Sequence, residues 1–217
     1  MAATQDTGPT AARTEDAAVA ARPWHRRRGL WLVLLSALVL GVAASGWVLA
    51  GARARSAVEI VPVREVRCED SSVRVRRFAG RRIPTMAMRP GMRCRWRLSV
   101  ENASFATVTV TEVILPFMGP GGGAAVRVRE LDGEEPVLGP DGDGIDARFP
   151  VDHRLAPGAD LLIDVEFRFR PRGCSGADLT TVWGFPTLTV DSLLTSGSVV
   201  ADLGVGFRGT PEGTCDT

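Results

Sequence analysis

Met92-Arg-Cys-Arg-Trp-Arg-Leu-Ser-Val-Glu101 alternates without a break. Met92, Cys94, Trp96, Leu98 and Val100 are apolar, whereas Arg93, Arg95, Arg97, Ser99 and Glu101 are polar. A period of two belongs to a strand with one buried and one wet face. Leu161–Arg170 repeats it, with Leu161, Ile163, Val165, Phe167 and Phe169 inward and Asp164, Glu166, Arg168 and Arg170 outward. Weaker runs of this kind lie at Val58–Cys68, Ser72–Phe78, Thr107–Leu115, Ala125–Leu131, Phe185–Val190 and Ser198–Phe207. Between Val110 and Val113 the parity changes, which predicts a bulge. Turn clusters separate the runs, among them Gly119-Pro-Gly-Gly-Gly123, Gly139-Pro-Asp-Gly-Asp-Gly144 and Ala156-Pro-Gly158. No stretch beyond residue 58 keeps a convincing helical period. The pattern predicts a mainly β domain over residues 58–217, an antiparallel β-sandwich, with an up-and-down barrel as the alternative.

Upstream lies Leu30–Gly51, 22 residues without a charge. As a helix it measures about 33 Å, enough to cross a bilayer. Arg26, Arg27 and Arg28 precede it, and Arg53 and Arg55 follow. Trp31 and Trp47 stand near its two ends, where interfacial aromatics belong. The denser Arg cluster is N-terminal, so the N-terminus is expected in the cytoplasm and the domain outside. This reading divides the chain into a disordered cytoplasmic tail (1–29), a transmembrane helix (30–51), a linker (52–57) and an exported domain (58–217). The competing reading is a signal peptide cleaved near residues 44–54, at Val42-Ala43-Ala44 or Ala50-Gly51-Ala52. The uncharged run exceeds the usual signal region of roughly 7–15 residues, which favours the anchor.

The formal net charge of +1 hides an uneven distribution. Arg64–Arg97 holds eleven Arg against three acidic residues, and Leu98 to the end holds 18 acidic residues against eight Arg. The basic residues are all Arg. Strands from the two halves must pair, so Arg from the first half is expected opposite acids of the second. The other use of this Arg is an anionic surface outside the membrane, either lipid headgroups or envelope polymers. A nucleic-acid partner is not expected on that side. All four cysteines, Cys68, Cys94, Cys174 and Cys215, follow the apolar run. An even number on the exported side reads as two disulfides. Of three connectivities we favour Cys68–Cys94 with Cys174–Cys215, since both close moderate loops and the second ties down the C-terminus.

The segment Trp96-Arg-Leu-Ser-Val-Glu-Asn-Ala-Ser-Phe-Ala-Thr-Val-Thr-Val-Thr-Glu-Val113 resembles a pattern of immunoglobulin-like exported domains. In these a strand ends at Asn, a short turn follows and a Thr/Val strand returns. It is similar to uncharacterised single-pass membrane proteins of actinobacteria. The resemblance covers about the middle third of the domain, and implies an immunoglobulin-like fold and a membrane location. It carries over no catalytic or binding residue. Trp96 follows Cys94 by two positions, closer than the immunoglobulin spacing.

Candidate chemistry is sparse. Asp141-Gly-Asp-Gly-Ile-Asp146 sets Asp141, Asp143 and Asp146 at alternating or near-alternating positions, as in a calcium loop. Such a loop needs Gly at its sixth position, which here is Asp146, so a solvated hairpin loop is the simpler reading. Met86, Met88, Met92 and Cys94 could form a soft copper site or pack the core. Gly204-Val-Gly-Phe-Arg-Gly209 matches a phosphate-loop spacing, but no helix can follow before Pro211. His153 is the exported His, in an expected loop, and no spacing joins it to a nucleophile. We therefore expect no enzyme and no obligate cofactor. The expected function is a membrane-anchored extracytoplasmic binding or accessory module, facing a protein partner or an anionic envelope surface. The alternatives are a calcium- or metal-responsive domain and a secreted protein.

Overall fold

The computed structural model describes residues 24–177, 180–184, 186–201 and 203–210. It opens on one helix, α1, Trp24–Ser56. Its stretch from Gly29 to Ser56 is long and apolar enough to cross a membrane. The helix outlasts the uncharged run at both ends, and residues 52–56, expected as a linker, form its last turn. Arg53 and Arg55 suit that end, where the helix dipole favours cations. The chain forms two compact units, residues 1–43 and residues 44–217. The first contains apolar helix whose Leu and Val side chains from Leu30 to Val42 are exposed.

The second unit is a β domain. Its strands are β1 (Val58–Pro62), β2 (Arg67–Glu69), β3 (Val73–Phe78), β4 (Arg81–Ala87), β5 (Arg93–Asn102), β6 (Val108–Leu115), β7 (Val126–Leu131), β8 (Ala147–Leu155), β9 (Asp160–Phe169), β10 (Thr180–Gly184), β11 (Thr187–Ser192), β12 (Thr195–Val200) and β13 (Gly204–Arg208). One sheet runs β1-β5-β9-β7, with β2 also on β5; a second runs β10-β13-β4-β3; a third runs β12-β11-β6-β8. Among the described residues every ladder is antiparallel except β13 on β4. The sheets share one apolar core, giving a mainly antiparallel β-sandwich.

β5 and β9 form the centre. Cys94, Trp96, Leu98 and Val100 pair with Phe167, Val165, Ile163 and Leu161. Seven of these eight are buried and Leu161 is half-buried. Phe167 meets the Phe207 ring edge-on at 5.6 Å, joining the first sheet to the second. Cys68 and Cys94 are bonded across the β2–β5 ladder, with Cα atoms 4.0 Å apart. Cys174 is also disulfide-bonded, and Cys215 lies outside the described residues.

Several expectations change. Val58–Cys68 and Ser198–Phe207 each divide into two strands. The second pair joins different sheets, β12 in the third and β13 in the second. β4, β8 and β10 went unforeseen. β4 contains Pro84 and β8 contains Pro150, which break the usual strand signal. Both prolines are tolerated by place: β8 is an edge strand, and Pro84 precedes the stretch of β4 that pairs with β13. His153 thus lies on a strand and not in a loop. The foreseen bulge falls at Val110/Glu112, where the β6–β8 register shifts and Asp152 takes φ 46°. Ser99 and Glu166, read as outward, are buried.

The Gly-rich loop after β6 and the acidic loop before β8 are zipped together by backbone. The Gly119 and Gly121 amides donate to the carbonyls of Ile145 and Gly144 at 2.8 and 2.9 Å. A Cβ on Gly119 would sit 2.1 Å from the Gly144 carbonyl oxygen, whereas one on Gly123 would meet nothing within 4 Å. Gly119→Ala should therefore destabilise the domain by about 2 kcal/mol or more, and Gly123→Ala should be near neutral. Denaturant midpoints of the full chain in detergent check the pair.

Candidate functional site

The Arg-rich segment divides in two. Arg95 and Arg97 on β5 stand opposite the acids Glu166 and Asp164 on β9, whereas Arg93 stands opposite Arg168. Glu166 accepts from Arg95 Nε at 3.1 Å and from Arg168 Nε at 2.6 Å, and Arg93 Nε lies 3.7 Å away. The Arg stems cover the carboxylate, so Glu166 is 2% exposed on the sheet's polar face. Burial pushes its pKa up, but the hydrogen bonds from Arg168 and Arg95 outweigh this and hold it below the ordinary value. Arg97 binds Asp164 through two nitrogens and lowers its pKa in the same way. Asp132, whose Oδ1 accepts from the Asp164 amide at 2.7 Å, is shifted up by burial.

The other half faces solvent. β3 and β4 form a hairpin through Ala79 and Gly80, at φ 48° and 81°. Arg74, Arg76, Arg77, Arg81 and Arg82 are exposed on it, together with Val75 and Phe78. Arg77 stands directly opposite Arg82. Like charges so placed repel, and the hairpin itself has no acid to relieve them. Among the described residues, Arg74, Arg76, Arg77 and Arg82 form no ion pair. β3 is also the free edge of its sheet, with backbone groups available to a partner strand. Beside the hairpin, Arg81, Arg82 and Ile83 line a groove with Pro62, Arg64 and Trp96. This arrangement can bind an anionic ligand without chemistry.

Asp146 Oδ1 accepts from the Phe117 amide at 2.9 Å, and Asp143 Oδ1 accepts from the Ile145 amide at 3.2 Å. These carboxylates thus serve the turn, and Asp141 is not brought to the same point by any bond described. Among the described residues no group of three His, Cys, Asp or Glu is arranged to hold a metal. Met86, Met88 and Met92 are buried in the core, and the Cys94 sulfur is in a disulfide. Gly204–Arg208 is a strand, and Gly206 brings β13 close to Thr85. Trp31 and Trp47 are exposed on α1. The side chains of Arg26, Arg27 and Arg28 lie outside the described residues.

No protein-family model matches the chain, and no curated protein does. Among solved structures it is similar to the alkylpurine DNA glycosylase AlkC of Pseudomonas fluorescens bound to DNA, at 13% identity and a TM-score of 0.29. That match covers 71% of this chain and 31% of the other, so the chain spans about a third of the glycosylase. It is also similar to the PapD-like domain 7 of human CEP192, at 14% identity and a TM-score of 0.29, covering 67% of this chain and 83% of that domain. Likeness at this level assigns no activity.

Carboxylates with depressed pKa stabilise the fold above their unfolded value, and the gain is lost as pH falls through the folded value. Asp164 and Glu166 both work in this sense, and Asp132 works against them. Stability should therefore fall as pH drops below about 4. Glu166→Gln should cost about 2 kcal/mol at neutral pH, by removing a buried acceptor of charged hydrogen bonds, and should flatten the acid loss. Urea midpoints from pH 7 to pH 3 measure both effects.

Proposed function

We propose that this protein is a membrane-anchored, extracytoplasmic binding module whose ligand face is the arginine hairpin of β3 and β4. The observation that carries the reading is the exposed pair Arg77 and Arg82, set opposite each other on one face of the hairpin, with Arg74 and Arg76 exposed on its other face. An anion bridging such a pair removes the repulsion, so binding is favoured where the free state is strained. A polyanion with closely spaced charges, such as an envelope polymer, can wrap the ribbon and meet guanidinium groups on both of its faces, which a single small anion cannot.

The apolar helix supplies the anchor, with the N-terminus inside and the domain outside. Retention of the helix is supported by packing within the second unit. Ala54 is fully buried, and a Cβ on Gly51 would lie 2.3 Å from Thr195 Oγ1. Cleavage after Ala52 would separate Gly51 from the hairpin it fits. Paired cysteines fit an oxidising compartment.

Two measurements test this. Intact mass from membranes, without reductant and after alkylation, should show the N-terminal tail retained and no alkyl groups added; loss of roughly 44–54 residues would replace the anchor with a signal peptide. Binding of polyphosphate to the full chain in detergent should weaken about tenfold on combining Arg76→Gln, Arg77→Gln and Arg82→Gln, and should weaken with salt. Equal affinity of variant and parent would remove the hairpin from the reading.

A further inference from the structure

The hairpin between β11 and β12 turns on Leu193 and Leu194, with φ 49° and 62°. Two-residue turns with both φ positive belong to Asn and Gly, because a Cβ is strained there. Here two leucines accept the strain, and Leu194 is 98% exposed. Phe105, 69% exposed, lines the same groove as Leu193 and Leu194, in the loop between β5 and β6. In water these residues gain nothing from their positions.

Their setting supplies the reason. Trp47 Nε1 donates to the Leu193 carbonyl at 2.6 Å. Arg55 bonds to Thr195 Oγ1, and Gly51 lets the helix close on the same Thr. The Ala103 amide donates to the Ala57 carbonyl at 3.0 Å, which ties the Phe105 loop to the residue after α1. Both apolar tips therefore gather around the last turns of the apolar helix. Trp47 lies in its uncharged run, and Val48 and Leu49 beside it are exposed. Buried Asn102 braces the Phe105 loop: its Nδ2 donates to the carbonyls of Ala106 and Leu155 at 2.9 and 3.0 Å, and its Oδ1 accepts from Ser104 Oγ at 2.6 Å. The display of Phe105 is built into the fold.

We propose that Leu193, Leu194 and Phe105 form a lipid-inserting foot, which seats the β domain in the boundary between headgroups and acyl chains. The inference rests on the membrane-anchored reading above. Trp47 sets the depth, because its ring belongs at the interface and its N–H holds the turn. Exposed Arg154 lines the groove beside the tips, where a headgroup phosphate would meet it. Seating at two tips besides the helix fixes the tilt of the domain, which a single helix leaves free to vary.

The test uses the full chain in phosphatidylcholine–phosphatidylglycerol vesicles containing a lipid with a nitroxide on its acyl chain. Leu194→Cys, Leu49→Cys and Val137→Cys are each labelled with an environment-sensitive fluorophore under non-reducing conditions. Leu49 reports the helix, and Val137 a loop joined to the far end of β8 by its bond to Arg148. Quenching at 194 should come within roughly twofold of that at 49 and exceed that at 137 about fivefold. Strong quenching at 49 with 194 no better than 137 would overturn the foot and leave the anchor standing. Loss of quenching at 49 itself would overturn both.

Discussion

The β5–β9 ladder is the constraint on which the rest depends, because both of its faces are committed. On one face Cys94, Trp96 and Leu98 meet Phe167, Val165 and Ile163 in the core. On the other, Glu166 lies beneath Arg93, Arg95 and Arg168. A one-residue slip would put the arginines in the core and the apolar set in water. The ladder therefore has one register, and β1, β2 and β7 take their positions from it. The buried acid cannot be removed without leaving the hydrogen bonds of its Arg canopy unmet. Its place in the ladder matches the polar face of β9 to that of β5 in the same register that matches their apolar faces.

The same economy separates structural from available charge. Arginines that face β9 are neutralised within the fold, and those on β3 and β4 have no β9 to face. The division follows topology alone, since Arg77 and Arg95 belong to one basic segment of the chain. Glycine has a comparable double reading. The Gly119–Gly122 run looks like a flexible loop, yet it is where two backbones approach too closely for a side chain. The acidic loop opposite it is shaped by that contact, which explains why its carboxylates cap amides.

The junction between helix and domain is a packed one. Gly51 and Arg55 engage the β11–β12 hairpin, and Ala57 engages the loop after β5. The bare Gly51 permits that approach.

Much of this was legible in the chain. Period-two alternation in Met92–Glu101 and Leu161–Arg170 determined the two central strands and most of the core, because pleat geometry alone assigns their faces. The uncharged run determined the helix, and the parity change determined the bulge in β6. The exceptions have a common cause. Glu166 reads as outward and is outward, yet it is buried, because Arg168, two positions on, is joined over it by Arg93 and Arg95, about 70 positions away. β4 and β8 carry prolines that only their places in the sheets excuse. Leu193-Leu194 gives no turn signal, and its strain is visible only in the backbone. Composition and periodicity thus determined local conformation and which faces seek the core. Tertiary structure decided which charges are spent, which glycines are contacts and what stands beside Trp47, since those depend on residues brought together across the chain.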